Sequence, residues 1–234
     1  MAEEPLRETL FSLEERFTEL CRGIGHTNPK YVFDFIQKLH TRPGRYHHNL
    51  ELLRRSLNEF YEAVHLAENP AAVEVALFFK DLIFEHYLND NKQRSARYAL
   101  HYLKGMGVER DLAYYVFDLV FVADPNNRYS GDRKHRPCTI DQKIVADIDS
   151  SALGLSPEAY AQYEDNIKRE YFANANSRIS ERDFQTQRII FLQGFLDVPN
   201  IFLTEFFRKK YEKQAQENVT GKVTELKEQL GYED

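Results

Sequence analysis

The most constraining stretch of this sequence runs from Asn69 to Tyr87, where a helical pattern carries two charges. Asn69 is suited to cap a helix, and Pro70 suits the first turn. Apolar residues then recur at helical spacing, and Lys80 and Asp81 fall on or beside their face. Because a buried charge is costly unless it is paired, the two charges must satisfy each other or face a polar pocket. The simpler alternative is a lysine that reaches solvent beside a surface aspartate.

Helical spacing extends over almost the whole chain. Capping boxes at Ser12 and Thr139, and Ser180 followed by Asp183, predict three helix starts, and we expect a further helix to begin near Tyr46. We expect the central helix to continue through residues 69–87. No segment alternates like a strand, and no long repeat is present. The sequence therefore predicts an all-α fold, a single compact domain of residues 1–234 with about ten helices.

Composition limits the functions that the chain can have. The 234 residues are 42% hydrophobic and carry a net charge of -6, which argues against broad nucleic-acid binding. No apolar run approaches the roughly 20 residues that span a membrane, and the acidic N-terminus lacks the pattern of a signal peptide. Cys21 and Cys138 form no metal-binding spacing and are expected to be free thiols. We expect a cytoplasmic protein with no membrane and no nucleic-acid partner.

Familiar catalytic and phosphate-binding motifs are absent from the sequence. What remains is a set of polar residues at the starts of helices or on otherwise apolar helices: His47, His48, Lys80, Asp81, Asp147 and Asp149.

Five segments resemble, in order, motifs of the predicted metal-dependent phosphohydrolases of the HD superfamily. Residues 45–52 resemble R-x-Y-H-N-x-x-H, and residues 76–81 resemble A-x-W-F-H-D. The other three segments are residues 90–96 (D-N-E-x-x-S-A), 147–154 (D-A-D-L…L-G) and 160–171 (Y-x-x-Y-x-x-x-I-R-x-E-Y). The resemblance implies an HD-like helical domain with a motif-bearing core of about 29–172 and C-terminal helices within 180–230.

Proteins of this superfamily hold a divalent metal with histidines, a His-Asp pair and a distant aspartate, and they hydrolyse phosphate esters. The metal activates a bound water and polarises the phosphoryl group. The resemblance assigns Asp81 to the His-Asp pair, Asp147 to the distant aspartate and His48 to the first histidine. It also places Lys80 and Leu52 where two ligand histidines belong. A further histidine, expected within residues 123–126, is missing as well.

These departures predict a degenerate metal site. Leucine offers no lone pair, and nearby aspartates oppose the deprotonation that a ligating lysine needs. We therefore expect the ammonium of Lys80 to neutralise Asp81 and Asp147 in place of a metal, so that no cofactor is required. His48, Lys80 and Asp81 are the candidate catalytic residues on this interpretation. The candidates for binding a phosphate are Arg45, Lys80 and Arg133.

Three functions are compatible with this pattern. The first is an HD-like protein without metal-dependent catalysis that binds a phosphorylated small molecule or nucleotide. The second is an active phosphohydrolase whose rebuilt site holds a divalent metal through Asp81 and Asp147, with His47 or His48 and with Asp149 nearby. The third is a helical interaction module whose charged tail after Phe207 docks a protein partner. A homo-oligomer is compatible with each of them.

Simpler structural roles stand beside these functions. His47 and His48 could be polar residues of a helix start that bond to the backbone. Asp147 and Asp149 could form a charged helix face. The basic stretch 128–136 is either solvated charge on a long loop, which we favour, or a lid that recognises phosphate.

Overall fold

The computed structural model describes residues 12–25, 29–86, 88–124, 136–173 and 179–232. These residues form ten α-helices and no strand, which pack around one hydrophobic core. The predicted all-α fold is therefore confirmed. The helices are α1 (Leu13–Gly23), α2 (Pro29–His40), α3 (Leu50–Ala63), α4 (Pro70–Phe79), α5 (Asn91–Gly105), α6 (Arg110–Val122), α7 (Ile140–Ser150), α8 (Pro157–Phe172), α9 (Glu181–Leu196) and α10 (Glu205–Leu230).

Local sequence signals set most of the helix starts. The hydroxyls of Ser12, Thr139 and Ser180 each accept a hydrogen bond from the backbone N–H three residues on. The side chain of that later residue accepts one from the backbone N–H of the cap. The two predicted capping boxes and the helix start predicted at Ser180 are thus confirmed, and Ser180 also forms a capping box. Ser156 caps α8 with its hydroxyl alone, which accepts a hydrogen bond from the N–H of Ala159, and a proline lies in the first turn.

The third helix begins later than predicted, at Leu50 instead of near Tyr46. Asn49 is its N-cap, and the side-chain oxygen of Asn49 accepts hydrogen bonds from the backbone N–H groups of Glu51 and Leu52. The residues before this cap form a bend that lies against other helices.

The central helix α4 ends at Phe79, eight residues earlier than predicted. The guanidinium of Arg45 donates hydrogen bonds of 2.8 Å to the carbonyls of Asp81 and Leu82. The hydroxyl of Ser95 accepts one from the N–H of Ile83. These contacts satisfy backbone groups that would otherwise extend the helix, and they turn the chain away.

Helix α4 occupies the middle of the fold. Eight of its ten residues are buried, and it packs against α1, α3, α5, α6 and α7. Even its one acidic residue, Glu74, is buried, where it accepts hydrogen bonds from Arg16 and from the hydroxyl of Tyr61. The residues that follow α4 therefore emerge directly from the core.

The last helix, α10, closes the fold by packing against α9 and the 3₁₀ turn Ser151–Gly154. Gly154 permits this approach, because a Cβ atom there would lie 2.5 Å from that of Tyr211. Cys21 and Cys138 are both free, as predicted. Within the described ranges, no helix is long and apolar enough to cross a membrane.

Candidate functional site

Four charged side chains meet where the chain leaves α4. Lys80 and Asp81 follow that helix, Lys92 lies in the first turn of α5, and Asp149 lies in the last turn of α7. The amino group of Lys80 contacts Asp81 and lies 2.8 Å from Asp149 Oδ1. The amino group of Lys92 lies 2.7 Å from Asp81 Oδ1 and 2.9 Å from Asp149 Oδ1. We name these four residues the Lys–Asp cluster.

In the Lys–Asp cluster Lys80 and Asp81 are buried, Lys92 and Asp149 are half-buried, and the four charges balance. Lys80 is only 1% exposed and Asp81 5% exposed. Although burial favours the neutral acid, the ammonium groups of Lys80 and Lys92 hold the pKa of Asp81 well below its usual value and lower that of Asp149. Burial opposes the charge of Lys92, but the two carboxylates raise its pKa above the ordinary range. Two positive charges therefore compensate two negative charges inside the protein.

Two carboxylates were predicted to pair with Lys80, and one of the two predictions is correct. Lys80 does contact Asp81, but the second carboxylate is that of Asp149 and not that of Asp147. The carboxylate of Asp147 instead accepts hydrogen bonds of 2.8 Å from the backbone N–H groups of Leu203 and Thr204 and from the Thr204 hydroxyl. Thr204 is the N-cap of α10, so Asp147 anchors the start of the last helix.

The two histidines are fixed by Glu170 of α8. One oxygen of Glu170 accepts hydrogen bonds from the backbone N–H groups of His47 and His48, and the other lies 3.0 Å from His48 Nδ1. The ring of His48 also stacks on Phe84 with 3.7 Å between centroids. Burial lowers the pKa of His47 well below its usual value, so its ring is neutral at neutral pH. The simpler role considered above was bonding of the histidine side chains to the backbone, whereas the ring of His48 meets the side chains of Glu170 and Phe84.

Arg45 holds two backbone segments together. Besides the carbonyls of Asp81 and Leu82, its guanidinium bonds the carbonyl of His48, and it therefore joins the histidine segment to the Lys–Asp cluster. Our prediction that Arg45 binds a phosphate gains no support from these contacts. Arg133, the other arginine predicted to bind phosphate, lies outside the described residues, as does most of the basic stretch 128–136.

A cavity of about 230 Å³ opens beside the Lys–Asp cluster. Lys80 lies behind its wall, whereas the other three cluster residues, Leu52 and both histidines line it. Much of the remaining wall is aromatic. Most of these aromatic side chains come from α8 and α9. The aromatic residues are Phe84, Tyr163, Tyr171, Phe184, Phe191 and Phe195.

Three residues of this site had no role assigned from the sequence: Lys92, Glu170 and Arg188. Lys92 stands where the HD-superfamily motif D-N-E-x-x-S-A has its glutamate, so its change of charge was a usable signal. Arg188 donates a pair of hydrogen bonds, 2.7 and 3.0 Å long, to the buried carboxylate of Glu164. These two residues are 24 positions apart on different helices, and no local pattern indicates the pair.

Among the described residues, the carboxylates of the Lys–Asp cluster face lysines in place of further metal ligands. Within the described ranges, no group of three or more histidine, cysteine, aspartate or glutamate residues is arranged to hold one. The carboxylates of Asp81 and Asp149 already face two ammonium groups, which would repel a dication. Asp147, predicted to share a metal with Asp81, bonds the start of α10 instead.

Comparison with known proteins gives no family model, no curated relative and no solved structure that matches this chain. The resemblance to the HD superfamily therefore stays a prediction based on the motifs themselves.

Proposed function

We propose that this protein binds a phosphorylated small molecule without metal-dependent catalysis, on a helical scaffold like that of the HD superfamily. The observation that carries the proposal is the Lys80 ammonium between Asp81 and Asp149. In this position it supplies the positive charge that a metal would supply in an HD-superfamily site.

The cavity supports a role in binding. It is lined largely by aromatic and aliphatic side chains together with a few charged ones, as small-molecule sites commonly are. The charged residues are Asp81, Lys92, Asp124, Asp149 and Arg188. The Arg45 and Glu170 hydrogen bonds join the segments that carry its polar residues, so the site is held before a ligand arrives.

Lys92 is the proposed contact for a phosphate. An ammonium has three N–H donors, and two of those of Lys92 have partners in Asp81 and Asp149. Among the described residues the third has no partner, so it can donate to an acceptor in the cavity, whose wall includes Lys92. Lys80, which we predicted to touch a phosphate directly, acts on this account only through the two carboxylates.

Calorimetric titration in the presence of a chelator tests the proposal. The probes are glycerol 3-phosphate, AMP and phenyl phosphate, each compared with its dephosphorylated counterpart: glycerol, adenosine and phenol. We expect at least one phosphorylated probe to bind more tightly than its counterpart. Equal binding of every pair, or no binding at all, would contradict the proposal.

A matched pair of charge variants locates the binding. Gln187→Glu adds a negative charge to the cavity wall, whereas Gln162→Glu adds one to an exposed position of α8. We expect the first to weaken binding of the phosphorylated probe by roughly fivefold, about 1 kcal/mol, and the second to leave it unchanged. Equal effects of both variants would place the site elsewhere.

A further inference from the structure

The aromatic wall of the cavity indicates which kind of organic group the ligand has. Tyr163 and Tyr171 come from α8, and Phe184, Phe191 and Phe195 come from α9. Neighbouring rings meet edge-on: Tyr171 and Phe184 with centroids 5.1 Å apart, and Phe191 and Phe195 with centroids 5.3 Å apart. This is the geometry that aromatic rings prefer, and it leaves ring faces and edges to line the cavity.

Arg188 adds a planar cation to this wall. Its guanidinium carbon lies 4.8 Å from the centroid of Phe191 and 5.4 Å from that of Tyr163. The charge of Arg188 is compensated by the buried carboxylate of Glu164, so Arg188 contributes a flat surface with little net charge. Such a surface is suited to stack against a ring.

The cavity is partly open to solvent, and its volume indicates the size of the group that it can surround. An engineered cavity of about 150 Å³ holds one benzene molecule, and pockets for drug-sized ligands begin at about 300 Å³. A cavity of about 230 Å³ lies between these values, so it can enclose one ring and a small polar group.

We propose that the ligand is a phosphate ester of a single flat ring, with the ring against the wall of α8 and α9. This inference rests on the proposed function, because it describes the organic part of the same phosphorylated ligand. Phe191 is then a specificity-determining residue, since it belongs to the aromatic wall and contacts Arg188.

Titration of the purified protein with three phosphorylated probes tests the inference. Phenyl phosphate has the single ring, glycerol 3-phosphate has the phosphate without a ring, and AMP carries a two-ring base and a ribose. We expect phenyl phosphate to bind at least tenfold more tightly than glycerol 3-phosphate and more tightly than AMP. Equal affinity for phenyl phosphate and glycerol 3-phosphate would overturn the inference, and so would tighter binding of AMP.

Two variants test whether the preference for phenyl phosphate depends on the aromatic wall of the cavity. Phe191→Leu removes a ring and keeps an apolar side chain, and we expect it to weaken phenyl phosphate about tenfold without changing glycerol 3-phosphate. Tyr31→Leu, at an exposed ring on α2, is the control and should change neither. A loss of phenyl phosphate affinity in both variants, or in neither, would overturn the assignment of the wall.

The outcomes separate this inference from the proposed function. If all phosphorylated probes bind alike and more tightly than their counterparts, the ring inference fails and the proposed function stands. If phenol binds as tightly as phenyl phosphate, the ring inference fails. If every other pair is equal as well, the proposed function fails with it. If no probe binds, both fail.

Discussion

Asp147 and Asp149 lie two residues apart on α7, yet they have opposite tasks. Asp147 accepts hydrogen bonds from backbone and hydroxyl groups at the start of α10, whereas Asp149 accepts them from two lysine ammonium groups beside a cavity. Residues at i and i+2 of a helix point in widely different directions, so the two carboxylates of such a motif cannot share one small site. One anchors the fold, and the other belongs to the candidate functional site.

The different contacts of Asp147 and Asp149 correct the assignment that was made from the D-A-D-L motif. The resemblance assigned the distant metal-binding aspartate to Asp147, and our predicted salt bridge used the same residue. Both the motif assignment and the predicted salt bridge used only the position of the residue along the sequence. The structure assigns the ion pair to Asp149, which the sequence analysis had placed only near the alternative metal site.

The largest expected effect comes from removing the central cation of the Lys–Asp cluster. Lys80→Met leaves Asp81 and Asp149 with Lys92 alone, and breaking a buried ion pair from one side costs about 3–5 kcal/mol. Urea denaturation measures the loss. Lys213→Met, whose side chain is 92% exposed, is the control and should change stability by less than about 0.5 kcal/mol. A loss below about 1 kcal/mol in Lys80→Met would contradict the buried cluster.

A smaller effect is expected from Asp147→Asn. The amide nitrogen would face N–H or hydroxyl donors that now meet a carboxylate oxygen, which costs about 2–4 kcal/mol. Hydrogen exchange should show faster exchange at the amides of Leu203 and Thr204, because the start of α10 is released. Exchange that instead increases only near Lys92 would show that Asp147 supports the cluster.

Asp149→Asn should destabilise less, by about 1–3 kcal/mol, because Asp149 is more exposed and the amide oxygen can still accept from one lysine. It also raises the charge of the cavity wall by one. We therefore expect Asp149→Asn to tighten binding of phenyl phosphate and Asp147→Asn to leave it unchanged, as measured by calorimetry. The reverse order would overturn the division of tasks between them.

The smallest effect is a pH dependence of the same variant. The pKa values of Asp81 and Asp149 are depressed in the folded protein, so their contribution to stability is present above the unfolded value of 3.8. It is lost as the pH falls through the folded values. The stability difference between wild type and Asp149→Asn should stay constant from neutral pH to about pH 5 and shrink below about pH 4. A difference that shrinks between pH 7 and pH 5 would contradict these directions.

Local chemistry explains what the sequence could predict. The capping boxes at Ser12, Thr139 and Ser180 depend on residues three apart, and all three are present in the structure. The end of α4 was predicted wrongly, because apolar residues continue the helical period to Phe84. The helix stops through contacts from Arg45, distant in sequence.

The candidate site was predictable only in part, for a similar reason. Lys80 is a charged residue in an apolar stretch, and its pairing with the adjacent Asp81 could be predicted without knowledge of the fold. The choice between Asp147 and Asp149 depends on the rotation of α7, which packing determines. Lys92 and Glu170 acquire their roles only where α5 and α8 meet the residues after α4 and before α3.

Elemental analysis tests most directly whether the ammonium of Lys80 stands in place of a metal. The protein is purified without chelators, incubated with divalent metals and desalted, together with a double variant carrying Leu52→His and Lys80→His. We predict no stoichiometric metal in the natural protein and a gain of metal in the double variant, which restores two histidines at the positions assigned by the resemblance. About one tightly bound divalent metal per natural chain would contradict the account.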